Sequence, residues 1–281
     1  MDDPRRDAHT RALAVVRQGR PADAVREALE TLPRGDPSVR EAVLARYRRI
    51  AAAPGRLDAD CALRTALLQG LRSCAVVDDR GLLERATQTY EYRSAGETGE
   101  VAANLRAAAL LALSQVDDRA AGFHAVRLLR EAAWGSGEPA LTAARLLVDL
   151  GEPLPLYASL LSGGVDGEVA AECFHALVGA PDSVLLGLAG QWSDSADEVG
   201  LLGFLDAVLD TLAVSSEPEP FEAVLLRFLR DSTHLDLVRY LATAIVARRR
   251  TALIAALREG PWPSPTRRGI VEEALALLPE R

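Results

Sequence analysis

Apolar residues recur at helical spacing along the whole chain, and this periodicity limits the fold more than any other feature. In the clearest case the apolar positions stand at relative offsets 0, 3, 4, 7 and 11, as in Leu201, Phe204, Leu205, Val208 and Leu212. Such a set forms one stripe on a helix with 3.6 residues per turn. No segment alternates apolar and polar residues as a half-buried strand would. The pattern predicts an all-α protein.

Short clusters of Gly, Pro, Asp and Ser, such as Pro54-Gly55 and Asp117-Asp118, divide the chain into segments of about 10 to 20 residues, a normal helix length. Four of these segments can be aligned with one another, at intervals of 42, 36 and 28 residues, starting from Leu63, Leu105, Leu141 and Val169. A loose period of roughly 30 to 45 residues is typical of a helical repeat array. The alternative is a compact helical bundle without a true repeat.

The aligned frame reads as a small residue, an apolar residue, Arg, Ala, Ala and Leu, with a later Asp before a shorter helix. Over roughly residues 57–260 this frame resembles the HEAT-repeat family. The resemblance implies an α-solenoid, a HEAT-like superhelix of about seven or eight antiparallel helix pairs. Residues 8–33, with the sequence GRPADA from Gly19, are instead similar to a tetratricopeptide helix pair. We therefore predict an N-terminal helical cap over residues 1–56, and over residues 57–281 a HEAT-like array that ends in a capping helix.

The net charge of −8 is distributed unevenly. Residues 1–56 and 227–281 each sum to +4, and residues 57–130 sum to −1. Residues 131–226 hold 16 acidic residues and one cation, Arg145, for a sum of −15. Because sequence neighbours are spatial neighbours in a solenoid, this block would form one negative surface that attracts a basic partner and repels nucleic acid. A merely solubilising surface, or pairing with a basic end of another copy, would also account for it.

The sequence lacks the residues that common catalytic sites need. All 32 basic residues are Arg, which excludes lysine chemistry. There is no nucleophile elbow, phosphate loop or dinucleotide glycine pattern. No His-Glu pair of the kind that binds iron in some HEAT-like hydroxylases is present, and the four histidines lie far apart, at His9, His124, His175 and His234. We therefore expect no catalytic, cofactor or metal site, and no enzyme activity.

The localisation that we expect is cytoplasmic. The odd number of cysteines, Cys61, Cys74 and Cys173, argues against disulfides and against a zinc site. No apolar run follows the N-terminal charges, so we expect no signal peptide. The longest uncharged stretch, residues 153–165, is too short to span a bilayer. No membrane association is expected.

Together these features predict a protein–protein interaction scaffold or adaptor, such as one component of a bacterial assembly. Its partner would present a basic surface, helix or tail. Within the acidic block, the aromatic Trp192 lies beside Asp194, Asp197 and Glu198, and these four residues are the predicted partner-binding site. The alternative for Trp192 is packing against the next helix pair.

Two other functions are compatible with a helical solenoid. HEAT-like DNA glycosylases use this architecture, but they need a basic channel, and here the centre is acidic while cations such as Arg248 to Arg250 lie near the ends. We therefore expect no nucleic-acid partner. A homo-oligomeric structural component is the other alternative, and it predicts a mass that is a multiple of 30.0 kDa.

Overall fold

A computed structural model describes residues 4–19, 21–92, 99–131, 137–193 and 195–279. Within these ranges the chain forms 17 α-helices, and the β pairing is limited to one isolated bridge between Tyr92 and Glu100. The predicted all-α class is confirmed. None of the described helices is both long enough and apolar enough to cross a bilayer.

The chain separates into two compact units, an N-terminal unit over Met1–Glu152 and a C-terminal unit over Pro153–Arg281. The helices of the N-terminal unit are α1 (Pro4–Gln18), α2 (Ala22–Thr31), α3 (Pro37–Ala51), α4 (Pro54–Leu57), α5 (Ala62–Leu71), α6 (Arg80–Ala86), α7 (Ala103–Leu113), α8 (Asp118–Leu129) and α9 (Ala140–Asp149). Those of the C-terminal unit are α10 (Pro153–Ser162), α11 (Gly167–His175), α12 (Asp182–Trp192), α13 (Glu198–Thr211), α14 (Glu219–Asp231), α15 (Leu235–Ala247), α16 (Thr251–Glu259) and α17 (Pro265–Leu275).

In the N-terminal unit, the odd-numbered helices pack one on the next, with α1 on α3, α3 on α5, α5 on α7 and α7 on α9. Helix α7 is at the centre, because α5, α6, α8 and α9 all contact it. Nine of its 11 residues are buried, as expected for a helix that is apolar on every side. Helices α2 and α3 both pack on α5, so no gap in packing occurs near residue 56. The predicted division of the chain into residues 1–56 and 57–281 stays a prediction.

The C-terminal unit has the same local pattern. Helices α11, α13, α15 and α17 contact one another in series, and so do α12, α14 and α16. Hydrogen bonds in this unit also join separate elements, as in Ser215 to Asp182, 33 positions apart, and Tyr240 of α15 to Asp206 of α13, 34 positions apart. This spacing lies inside the period of about 30 to 45 residues that the sequence indicated. The contacts in this unit therefore include elements that are distant from one another in the chain.

Two glycines of α13 set the closest packing in this unit. A Cβ added at Gly203 would lie 2.6 Å from the Cβ of Ala171 and would also overlap the Ala171 backbone. A Cβ at Gly200 would lie 2.7 Å from the ring of Trp192. Because neither glycine has a side chain, α13 lies directly against α11. The small side chains of α11 complete this contact.

Replacement of Gly203 by Ala should destabilise the protein by about 1–3 kcal/mol, because the added methyl overpacks the α11–α13 contact. The matched control is Gly187→Ala in α12, where no heavy atom lies within 4 Å of the added Cβ. That change should stabilise by about 0.5–1 kcal/mol through helix propensity. Urea unfolding of both variants measures this, and equal effects at the two positions would contradict the packing described.

Candidate interaction surface

In the C-terminal unit, two neighbouring helices each have an aspartate as the N-cap residue. Asp166 accepts a hydrogen bond from the Glu168 amide, 3.0 Å away, at the start of α11. Asp197 accepts from the amides of Val199 and Gly200 at 3.1 and 3.0 Å, at the start of α13. Such caps satisfy first-turn amides that have no partner within the helix, and a negative charge there is also favoured by the helix dipole. Part of the acidity of this segment is therefore structural.

The two caps lie side by side. A Cβ at Gly167 would overlap the carboxylate of Asp197, so the first turn of α11 touches the cap of α13. Each cap is followed by an exposed glutamate, and the set Asp166, Glu168, Asp197 and Glu198 is called the acidic edge below. The side chain of Glu198 is 65% exposed, and its Oε1 lies 3.0 Å from Nδ1 of His234 at the start of α15. The acidic edge is thus a surface feature built from two helix N-termini.

Trp192 is placed differently from Asp197 and Glu198. It is only 6% exposed, and its ring packs edge-on against Phe174 with centroids 5.0 Å apart. Phe174 in turn contacts Phe204, with centroids 5.3 Å apart. The structure therefore shows Trp192 in the core, packed on neighbouring helices, and a partner could not reach it without rearrangement. Asp194 lies outside the described residues.

Other carboxylates of α13 are already paired within the unit. Asp206 and Asp210 face α15, where Tyr240 donates to Asp206 at 2.8 Å and Arg248 pairs with Asp206 at 3.1 Å and with Asp210 at 2.7 Å. Arg250 donates to the backbone carbonyl of Leu209 at 3.3 Å. Two members of the Arg248 to Arg250 run therefore serve contacts between helices. This arrangement leaves fewer cations for phosphate than the sequence suggested.

The N-terminal unit contains two buried arginine clusters that sequence analysis did not identify. Arg64 Nε lies 2.9 Å from Oδ2 of Asp58, and its Nη1 lies 2.6 Å from Oε1 of Glu91. In the second cluster, Arg106 Nη2 lies 2.8 Å from Glu100 and 2.9 Å from Glu131. Both arginines are only 2% exposed.

The two clusters are equivalent. Arg64 and Arg106 follow the first leucine of the aligned frame, and each binds one carboxylate six residues earlier and a second one at least 25 residues later. At the third aligned position Thr142 replaces the arginine and donates to Glu138 at 2.9 Å. The Leu-Arg pair of the frame was the available signal, but the distant carboxylates could not be assigned from spacing alone.

These ionisable groups have the properties of structural pairs. Hydrogen bonds from Arg64 hold the pKa of Glu91 below its ordinary value of 4.5, although partial burial opposes this shift. Burial by itself would lower the pKa of Arg64, but hydrogen bonds to Glu91 and Asp58 outweigh it and raise that pKa. The guanidinium is thus fixed, charged and closed to solvent.

The cysteine side chains are also buried. Burial raises the pKa of Cys61 to about 12 and that of Cys173 to about 12, so both thiols are protonated at neutral pH. Cys74 is buried too, and its pKa is raised for the same reason. Among the described residues, no group of three or more His, Cys, Asp or Glu could hold a metal ion.

Compared with protein-family models, with curated proteins and with solved structures, the chain matches none of them.

Replacement of Glu91 by Gln should lower the free energy of unfolding at pH 7 by about 1–3 kcal/mol, since Arg64 stays buried with one anion fewer. Because the pKa of Glu91 is lower in the folded state, its contribution is complete above pH 4.5 and is lost as the pH falls below that value. The variant should therefore lose less stability on acidification than the wild type. Melting temperatures from pH 7 to pH 3 measure this.

The matched control for that series is Glu259→Gln, at the exposed end of α16. It should leave both the melting temperature and its pH dependence unchanged. A Glu91 variant that melts like wild type across the whole range would show that the Arg64 cluster does not support the fold.

Proposed function

We propose that this chain is a non-catalytic protein-binding module, in which the acidic edge receives a basic surface, helix or tail of another protein. We further propose that its helices form a HEAT-like α-solenoid of about seven or eight antiparallel pairs. The series of helix contacts inside each unit supports this arrangement. Stacked pairs are suited to protein binding because they present a long continuous surface.

The observation that carries the proposal is the excess of acidic residues in the segment that contains the acidic edge. Between Arg145 and Arg227 the sequence contains 14 acidic residues and no Arg or Lys. Glu168 and Glu198 are exposed, whereas Asp166 and Asp197 accept the hydrogen bonds that cap the two helices. Both glutamates therefore lie at the surface, and Glu198 also bonds His234. At physiological salt their field reaches about 8 Å, which is enough to orient a cationic segment at contact range.

Several other ionisable groups are buried, and the arginines among them bind residues within the protein, which supports a non-catalytic role. Arg64 and Arg106 are closed to solvent by their carboxylates, and Cys61 and Cys173 hold their protons. Catalytic groups need access to substrate and a pKa close to the working pH. These groups have neither property and instead connect helices.

The test uses Glu168→Arg/Glu198→Arg and a fluorescent oligo-arginine peptide as the probe. These substitutions reverse two exposed charges without removing either aspartate cap. We expect the peptide to bind the wild type at 50 mM salt and to bind the variant at least about tenfold more weakly, because like charges now meet at the edge. Raising the salt to 300 mM should weaken wild-type binding by a similar factor. Fluorescence anisotropy measures the Kd.

The matched control is Glu27→Arg/Glu30→Arg, which makes the same change of charge on the exposed face of α2. It should keep the wild-type Kd within about twofold, because it makes the same change of net charge and leaves the residues of the acidic edge unchanged. Equal Kd values for both double variants would mean that only net charge matters, and would contradict a localised binding surface.

A further inference from the structure

Helix α8 presents an unpartnered apolar stripe to solvent. Arg119, Phe123, Val126 and Arg130 stand at offsets 0, 4, 7 and 11 and share one face of the helix; they are called the α8 stripe below. Phe123 is 70% exposed and Val126 is 38% exposed. The opposite face packs into the unit through buried residues, namely Ala121, Ala125 and Leu128.

The composition of the α8 stripe is typical of a protein interface. Single exposed apolar residues are common, but here an aromatic and an aliphatic side chain adjoin, with an exposed arginine on either side. Aromatic residues and arginines are enriched at protein interfaces, whose centres are apolar and whose rims are polar. A surface that receives the stripe needs a recess for Phe123 and carboxylates for Arg119 and Arg130.

The C-terminal unit contains such a recess. The loop before α12 and the loop before α14 enclose an open cavity of about 550 Å³, lined by residues 179–182 and 214–217 and called the loop cavity below. Val214 is 66% exposed and supplies an apolar wall together with Pro181. The loop cavity also holds two carboxylates, Asp182 and Glu217. It has room for an aromatic ring and the charge that suits arginine.

We propose that the α8 stripe of one copy docks at the loop cavity of a second copy. Phe123 enters the cavity against Val214 and Pro181, while Arg119 and Arg130 face its carboxylates. The second copy is the favoured occupant because the chain itself carries both complementary surfaces. The sequence segment that contributes the loop cavity, residues 146–226, contains no Arg or Lys.

The stripe and the loop cavity are different surfaces, so the contact is heterologous and joins copies head to tail. The copy at one end of the assembly keeps a free stripe, and the copy at the other end keeps a free cavity. The contact does not involve the acidic edge, so it stands independently of the function proposed above. Because Phe123 is the single apolar anchor of the contact, we expect the degree of association to depend on the protein concentration.

Sedimentation of the full chain between 1 and 200 μM tests the proposal. The wild-type mass should rise above 30.0 kDa with concentration, and Phe123→Asp should remain a monomer at every concentration. Val214→Arg/Glu217→Arg should also remain a monomer, because it closes the cavity and reverses its charge. The control is Leu277→Asp, which changes another apolar residue of similar exposure, 63%, and should associate like the wild type.

Mixing the two monomeric variants gives the sharpest result. Phe123→Asp keeps an intact cavity and Val214→Arg/Glu217→Arg keeps an intact stripe, so an equimolar mixture should form a dimer of twice 30.0 kDa and grow no further. A wild type that stays monomeric at 200 μM, a Phe123 variant that associates normally, or a mixture that stays monomeric would each overturn the proposal. If Phe123→Asp does not fold by circular dichroism, Arg119→Glu/Arg130→Glu replaces it, with the same outcomes.

Discussion

The structure depends on one constraint, which is that each short helix must bury its apolar face on other helices of the same unit. A helix of about ten residues is marginal in water by itself, because nucleation is costly and few hydrogen bonds follow. Helix α7 is stabilised by neighbours on several sides, and α13 by its contacts with α11 and α15. Helices α11 and α13 are in close contact at Gly203, because the absence of a side chain there lets the two backbones approach each other.

Arginine side chains also join helices to one another. Arg46 donates to the carbonyls of Val15, Val16 and Gly19 at the end of α1, and Arg267 donates to those of Leu229 and Ser232 at the end of α14. The last carbonyls of a helix have no partner within it, and a planar guanidinium can bind several at once. An ammonium group on a lysine could not reproduce this fork, so arginine has a structural role here beyond its charge.

Sequence reasoning predicted the local structure well and the convergence of distant residues poorly. Helix spacing and turn clusters are local properties, so the all-α class and most breaks could be predicted, including the Asp117-Asp118 break at which α8 begins. Trp192 was placed at the predicted binding site because it adjoins acidic residues in sequence. In the structure the Trp192 side chain lies in the core and packs against Phe174, which is 18 residues away in the chain. The Glu91 and Glu131 partners of the buried arginines were missed for the same reason.

The proposed α-solenoid requires the helix pairs to continue as a linear stack, and small-angle X-ray scattering of the monomer tests this requirement most directly. Seven or eight pairs spaced about 9–10 Å apart would extend over about 70 Å, which corresponds to a radius of gyration of about 23 Å. A compact chain of 281 residues would have a radius of about 19 Å. We expect the larger value, with a pair-distance distribution that has a long tail. A radius of about 19 Å with a symmetric distribution would contradict the stack and favour a compact bundle.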